Sequence, residues 1–164
     1  MDEVDRIVAA WRHERPDLDV SPMEVLSRVS RLARQLDLAR KSSFSAYGIE
    51  GWAFDVLSAL RRSAEPYQLS PSTLLQETLV TSGTMTNRID RLVTAGWVER
   101  LPDPGDRRGV LVRLTKDGRA TVDSALADLL VKEREILSDL TPAGRRKLAS
   151  LLRQLSTGFD SDEA

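Results

Sequence analysis

The segment from residue 82 to residue 114 restricts the fold of this 164-residue chain more than any other part of its sequence. It reads SGTMTNRIDRLVTAG, then WVERL, PDPGDRRG and VLVRL. The first piece has apolar residues at helical spacing, and WVERL and VLVRL alternate apolar and polar residues as strands do. The prolines and glycines of PDPGDRRG indicate a turn-rich loop between them. This order predicts a helix that is followed directly by a β-hairpin.

The predicted helix has two chemically different faces. At about 100° per residue, its buried stripe is formed by Met85, Ile89, Leu92 and Val93. The opposite face carries Gly83, Thr84, Asn87, Arg91 and Thr94. Short side chains let a backbone approach another surface closely, Thr and Asn bond to phosphates or base edges, and Arg pairs with phosphate or guanine. The pattern favours a helix that enters the major groove of DNA, with a solvated polar face as the plain alternative.

The residues on either side of this helix complete a winged helix-turn-helix. Ser70-Pro71 begins a short helix, and a tight connection at residues 80–83 leads into the next. Arg107 and Arg108 lie at the tip of the hairpin, where an arginine suits the negative potential of a narrow minor groove. Asp106 is expected to hold that tip by accepting hydrogen bonds from its own loop or from a nearby Arg. The alternative for Asp106 is a simple turn residue.

The remaining sequence predicts helices on both sides of this centre. An amphipathic helix with Val4, Ile7, Val8 and Trp11 is ended by Pro16, a second begins after a Ser21 cap, and a third holds Trp52, Val56, Leu57 and Leu60. Tyr67 to Leu69 is a short extended piece, and two more helices follow Thr115 and Thr141. The fold class is mainly α with a small β-hairpin. The terminal helices carry more apolar residues than one domain covers, which predicts a homodimer, with an intramolecular bundle as the alternative.

Composition narrows the classes of function. The chain has no cysteine and a single histidine, His13, so thiol chemistry and a zinc site are not expected, and no other cofactor is predicted. The net charge is −1, yet residues 81–120 hold eight basic and five acidic side chains, a local charge of +3 that is compatible with DNA. Neither a membrane span nor a signal peptide is visible, so a cytoplasmic protein with no membrane partner is expected. No familiar catalytic set is present, which argues against an enzyme.

The pieces TSGTMTNRIDRL and GWVERLPDPGDRRGVLVRLT resemble the MarR family of transcriptional regulators, and Asp106 and Arg108 match that family's wing signature. The resemblance covers essentially the whole chain. It implies one domain over residues 1–164, with a winged lobe at 50–115 and dimerisation helices at 22–47 and 116–158. It also implies an obligate homodimer on a pseudo-palindromic operator in double-stranded DNA. The DNA-binding residues would be Ser82, Gly83, Thr84, Thr86, Asn87, Arg91, Arg107 and Arg108.

The chain has an added helix at residues 1–15, and in this it resembles the urate-responsive subgroup of that family. Trp11, Asp55 in GWAFD, Arg88 in TNR and Arg100 in VER match its ligand signature. In that subgroup an anionic small molecule, such as urate, a related purine, aconitate or citrate, binds between scaffold and lobe and releases DNA. On the wheel Arg88 flanks the buried stripe, so it can point inward toward the scaffold helices. Asp55 could accept hydrogen bonds from the N–H groups of a purine, or it could hold Arg88 by a salt bridge in the empty state.

Each of these four residues has a simpler interpretation. Trp11 suits a packing anchor, Asp55 with Arg88 a structural pair, and Arg100 a solvated or phosphate-contacting side chain. His13 is expected at the surface. The leading hypothesis is a ligand-responsive DNA-binding repressor. Its main rival is a winged-helix module that binds protein without direct DNA readout.

Overall fold

The computed structural model of the chain describes residues 1–78 and 82–160, except the side chains of residues 82, 107, 159 and 160. Its elements are α1 Glu3–Glu14, α2 Pro22–Ser45, α3 Gly51–Arg62, β1 Gln68–Leu69, α4 Pro71–Thr78, α5 Ser82–Thr94, β2 Val98–Asp103, β3 Asp106–Leu114, α6 Lys116–Ile136 and α7 Pro142–Asp160. The chain is mainly helical with a small antiparallel sheet, which confirms the predicted fold class. The sheet has the order β1-β3-β2, so a short third strand joins the predicted hairpin.

Helix α1 is attached to α2 by a small core of its own and by a cluster of charges. Val4, Val8 and Val20 are buried together, apart from the main core. Asp2 and Asp5 form a capping box at the start of α1, in which each backbone N–H donates to the other carboxylate. Arg28 of α2 pairs with both carboxylates, at 2.9 and 2.6 Å. A salt-bridged acidic cap therefore ties the added helix to the scaffold.

Ser21 is the N-cap residue of α2, as predicted, but it does not cap the helix through its side chain. Ser21 has helical backbone angles and its hydroxyl makes no capping hydrogen bond. Instead, the Asp19 carboxylate accepts a hydrogen bond from the Ser21 backbone N–H at 3.0 Å. Pro22 still occupies the first helical turn, where its missing N–H has no cost.

The main core is centred on the winged lobe and is completed by Phe44 of α2 and by Val122, Ala125 and Leu129 of α6. Helix α3 contributes six buried residues, Ala53, Phe54, Val56, Leu57, Ala59 and Leu60. Met85, Ile89 and Leu92 of α5 are buried against them, as the wheel predicts. Val93 is wrongly placed in that stripe, because 37 % of it is exposed. On the wheel Val93 lies about 80° from Met85, at the outer edge of the stripe, where the helix surface turns away from the core.

The predicted loop at residues 102–109 is mostly strand. β2 continues to Asp103 and β3 starts at Asp106, so only residues 104 and 105 form the turn. The register pairs Pro102 with Val110 but Asp103 with Asp106, and this shift absorbs the extra residues in β3. Pro102 is tolerated because β2 is an edge strand and needs no donor there. The sequence marks the turn residues correctly but exaggerates the length of the loop. The predicted extended piece also starts late, because Tyr67 has a left-handed φ of +57°.

The junction between the wing and α6 is tightly built. The Thr115 hydroxyl accepts from the Gly118 N–H at 3.0 Å and donates to the Gly96 carbonyl at 2.8 Å. A Cβ at Gly118 would lie 2.0 Å from the Trp97 carbonyl oxygen. Only glycine allows the first turn of α6 to approach the start of the hairpin this closely.

The long helices leave an extensive apolar surface open. The exposed side chains include Val25, Leu26, Val29, Leu32, Leu36 and Leu38 of α2, Leu126, Leu130, Val131 and Ile136 of α6, and Leu151, Leu152 and Leu155 of α7. Contiguous apolar surface of this extent normally meets a partner. Within the described ranges no helix is sufficiently long and apolar to cross a membrane.

Candidate nucleic-acid interface and effector residues

The N-terminal half of α5 presents the predicted short polar face to the outside. Gly83, Thr84, Thr86 and Asn87 are all exposed, and a Cβ at Gly83 would meet nothing within 4 Å. Further along, the Thr94 hydroxyl donates to the Asp90 carbonyl of its own helix. The side chain of Ser82, also predicted to bind DNA, lies outside the described residues. The described part of this face has room for close approach by another molecule.

Arg91 is exposed but not free. Its Nη2 donates to a Glu50 carboxylate oxygen at 2.9 Å, and its guanidinium lies 4.6 Å from the centroid of the Trp52 ring. Trp52 donates its indole N–H to the same Glu50 carboxylate. Arg88 approaches Trp52 as well, at 5.5 Å. Trp52 of α3 therefore contacts both arginines of α5, and Glu50, the N-cap residue of α3, pairs with Arg91.

Sequence reasoning missed Glu50 and Trp52 as functional candidates. Glu50 is 41 residues from Arg91 in the chain, and no local pattern links them. The pKa of Glu50 is lowered, first by the hydrogen bond from Trp52 and then by the charge of Arg91. Glu50 is therefore an anion at neutral pH, next to the helix that carries the polar face.

The wing tip is braced by its own acidic side chains. The Asp106 carboxylate accepts from the Arg108 backbone N–H at 2.9 Å, a bond at the start of β3 that holds the tip as expected for Asp106. Asp103 accepts from the Gly105 N–H at 2.8 Å. A Cβ at Gly109 would lie 2.9 Å from the Asp103 Cβ, so the hairpin is closed too tightly for a larger residue. Arg108 is exposed on this braced tip, and the side chain of Arg107 lies outside the described residues.

The four predicted effector residues do not contact one another. Asp55 pairs with Arg40 of α2 at 2.7 Å, Arg88 lies against Trp52, and Arg100 pairs with Asp90 of α5 at 2.6 Å. Trp11 of α1 is 47 % exposed. Between the described side chains, no hydrogen bond, ion pair or ring contact joins any two of the four. The predicted Asp55–Arg88 pair is thus corrected to Asp55–Arg40, because Arg88 turns to the aromatic ring on α3.

Arg40 was also missed by sequence reasoning. Its guanidinium lies over the stacked rings of Phe44 and Phe54, at 5.3 and 5.6 Å from their centroids, while it pairs with Asp55. The pair borders a cleft of about 310 Å³ lined by Arg40, Phe54, Asp55, Ser58, Arg62, Glu77 and Thr78. This cleft lies where α2 of the scaffold meets α3 and α4 of the lobe. It contains two arginines and two carboxylates, so its charges are balanced.

The described residues provide no group of three or more His, Asp or Glu side chains placed to hold a metal ion. The site is instead a pair of exposed projections, the polar face of α5 and the Arg-bearing wing, on one compact lobe. Such an arrangement defines a winged helix-turn-helix transcriptional regulator.

Comparison with known proteins supports this class and narrows it. The profile of the MarR family matches residues 47–109. The chain is 41 % identical over 150 residues to the HTH-type transcriptional regulator PecS of Dickeya dadantii (strain 3937). The aligned region covers 92 % of this chain and 90 % of that protein. The chain belongs to the MarR family, whose members are DNA-binding regulators and not enzymes.

Two solved structures are similar in fold and sequence. A mutant MarR from E. coli in complex with operator DNA has a TM-score of 0.68 and 32 % identity, and covers 84 % of this chain and 99 % of that chain. Bordetella bronchiseptica BpsR, whose DNA binding is regulated by 6-hydroxynicotinic acid, has a TM-score of 0.68 and 28 % identity, and covers 80 % of this chain and 92 % of that chain.

Proposed function

We propose that this chain is a repressor that binds double-stranded DNA directly, with α5 in the major groove and the wing in the adjacent minor groove. The observation that carries the proposal is the exposed polar face of α5, with Gly83 and Asn87, beside a braced tip that presents Arg108. The helix face suits base edges and phosphates, and the arginine suits a narrow minor groove. A cytoplasmic location follows from this role, because the protein needs access to the chromosome.

The DNA-binding unit we propose is a homodimer. The open apolar surfaces of α2, α6 and α7 are explained if a second copy covers them. A two-fold dimer presents two α5 helices, so its operator is a pseudo-palindrome with half-sites about 10 base pairs apart. E. coli MarR, which is similar over most of this chain, has been described on operator DNA.

Direct DNA binding is tested by selecting duplexes from a random pool with purified protein and then titrating the selected sequence at several salt concentrations. We expect a repeated half-site and an affinity that falls steeply with salt, since log K changes by about 0.9 per phosphate contact for each tenfold change in salt. A duplex with one half-site scrambled is the control. Failure to select any sequence, together with salt-independent weak binding, would instead support the protein-binding alternative.

We further propose that an anionic small molecule releases the operator. Candidates are urate, a related purine, or a tricarboxylate such as aconitate or citrate, acting through Trp11, Asp55, Arg88 and Arg100. Two of these residues are held in ion pairs, Asp55 with Arg40 and Arg100 with Asp90. An incoming anion would replace a carboxylate as the partner of an arginine, and bidentate arginine pairing suits carboxylates and urate alike. The carboxylic acid that regulates BpsR belongs to the same chemical class.

A thermal-shift screen with these anions tests the effector. A ligand at 100 times its dissociation constant stabilises the fold by about 2.7 kcal/mol, which is easily seen. Arg88→Ala and Asp55→Asn should still bind DNA but respond less to the active ligand, and Arg34→Ala, an exposed arginine of α2, serves as the control. If both variants release DNA at the ligand concentration needed by the wild type, the proposed effector residues are wrong.

A further inference from the structure

Arg91 pairs with the carboxylate of Glu50 on the face of α5 that is proposed to bind DNA. We propose that Glu50 is an intramolecular competitor for DNA: it occupies Arg91 in the free protein and must be replaced by a phosphate when α5 docks. The inference rests on the proposed function, since it takes α5 as the DNA-reading helix. It adds Glu50 and Trp52 of α3 as residues that set the affinity of that helix.

The geometry supports exchange rather than permanent pairing. The Arg91–Glu50 ion pair is at the surface, with 58 % of each side chain exposed. An exposed ion pair contributes little to stability, so a phosphate can displace the carboxylate at small cost. Arg91 also lies over the Trp52 ring at 4.6 Å, which keeps its guanidinium at the same place when the carboxylate is lost. Arg91 can therefore exchange the Glu50 carboxylate for a DNA phosphate without moving its guanidinium.

Apart from a small favourable interaction with the dipole of α3, the charge of Glu50 has no evident structural role. It is the N-cap residue of α3, yet its side chain makes no capping hydrogen bond. Its carboxylate accepts only from the Trp52 indole and from Arg91 among the described residues. A glutamine at this position keeps an oxygen acceptor for Trp52 and removes the negative charge. Glu50→Gln is thus a conservative way to release Arg91 without disturbing the packing of α3.

The chain offers a matched control. Glu24 lies in the first turn of α2 and pairs with Arg12 of α1, so it too is a carboxylate at a helix start that pairs with an arginine of another helix. Glu24→Gln changes the net charge by the same amount, but away from α5 and the wing. Any effect of overall charge on DNA affinity appears equally in both variants.

The test measures binding to a labelled duplex of arbitrary sequence, which needs no knowledge of the operator, for the full-length protein and its variants at fixed salt. Glu50→Gln should bind about threefold to fivefold more tightly than Glu24→Gln, the upper part of what an exposed ion pair contributes. In an Arg91→Ala background, Glu50→Gln should give no gain. Thermal unfolding of each variant verifies that the fold is retained.

The outcomes separate this inference from the proposed function. If the wild type binds the duplex in a salt-dependent way but Glu50→Gln equals Glu24→Gln, Glu50 does not compete and the inference is overturned. A gain that persists in the Arg91→Ala background also overturns it, because the charge of Glu50 then acts on DNA without Arg91. If the wild type shows no salt-dependent binding to this duplex and none to any duplex selected from a random pool, direct DNA binding itself is refuted and the inference falls with it.

Discussion

The winged lobe and the long-helix scaffold differ in how far their apolar side chains are buried. Helix α3 at the centre of the lobe buries six residues in a core that also contains residues of α4, α5, the sheet, α2 and the middle of α6. In α7, by contrast, none of the side chains at residues 142–158 is fully buried. The core around α3, to which α2 and α6 contribute, is closed within one chain, whereas the remaining apolar surface of the scaffold is one that the proposed second copy would cover.

This contrast indicates which contacts regulation can change. Met85, Ile89 and Leu92 hold α5 to α3 through the buried core, whereas α3 is also joined to α2 by a charged contact at the surface. The Asp55–Arg40 pair spans the two regions, from α3 to α2. If the proposed effector acts on this pair, it would alter the placement of the lobe without unfolding it. Typical couplings of this kind are about 1–3 kcal/mol, or roughly 5-fold to 150-fold in affinity.

The largest effect is expected when the scaffold surface is broken. Leu151→Glu places a charge on α7 where the proposed dimer interface is apolar, and single central residues of interfaces commonly contribute about 2–4 kcal/mol. We expect sedimentation velocity to show a shift toward monomer, accompanied by a large loss of DNA affinity. Leu18→Glu is the control, because Leu18 is 49 % exposed against 52 % for Leu151 but lies outside the helices of the scaffold. If Leu151→Glu and Leu18→Glu have the same mass in solution, α7 is not part of the dimer interface.

The next effect concerns the lobe and leaves the scaffold intact. Arg108→Ala removes the exposed arginine of the wing tip and should cost about 1–3 kcal/mol of DNA binding. Circular dichroism and mass in solution should not change, because the bond that braces the tip uses the backbone N–H of residue 108 and not its side chain. Arg6→Ala, an exposed arginine of α1, removes the same charge elsewhere. Equal affinities of the two variants would mean that the tip does not enter the groove.

A third change affects the junction of the two regions. Gly118→Ala would bring a Cβ to 2.0 Å from the Trp97 carbonyl oxygen, so backbone must shift. Overpacking of this kind costs about 1–3 kcal/mol, which we expect as a lower midpoint of thermal unfolding. Gly158→Ala is the control, because it has no atom within 4 Å and sits in helix α7, where alanine is favoured over glycine by about 1 kcal/mol. An unchanged midpoint for Gly118→Ala would contradict the close packing of α6 on the hairpin.

The two regions also differ in how well the sequence predicts them. The order of elements and the buried face of α5 follow from periodicity, because Met85, Ile89 and Leu92 repeat at the spacing of a helix. The bulged wing does not follow, since Pro102 and Gly109 signal a turn but not how many residues pair across it. Register is decided by contacts between strands, which a local pattern does not contain.

The candidate site shows the same division. The polar face of α5 is a property of one helix, so its exposure could be predicted from residues such as Gly83 and Asn87. The partners of its arginines could not, because Glu50 and Arg91 are brought together by the packing of α3 on α5. Asp55 likewise finds Arg40, 15 residues away on another helix, in preference to Arg88. A long charged side chain can reach several possible partners, and only the tertiary structure shows with which of them it pairs.

The smallest effect is expected at the attachment of α1 to the scaffold, which depends on pH. The pKa of Asp2 is lowered, first by the Asp5 backbone N–H and then by Arg28, and the pKa of Asp5 is lowered in the corresponding way. Because the pKa of each carboxyl is lower in the folded state than its ordinary value of about 3.8, both contribute stability above that pH. This contribution is lost as the pH falls through the lower folded value.

We therefore expect the amides of α1 to lose hydrogen-exchange protection below about pH 4, while the amides of α3 in the lobe core keep theirs. Arg28→Ala should reduce the protection of α1 at neutral pH and weaken its dependence on acid, because both carboxylates then lack their shared partner. Arg34→Ala removes an arginine from the same helix without touching Asp2 or Asp5. If protection in α1 follows the same pH profile in Arg28→Ala as in Arg34→Ala, the charge cluster does not hold α1, and the small core of Val4, Val8 and Val20 is sufficient.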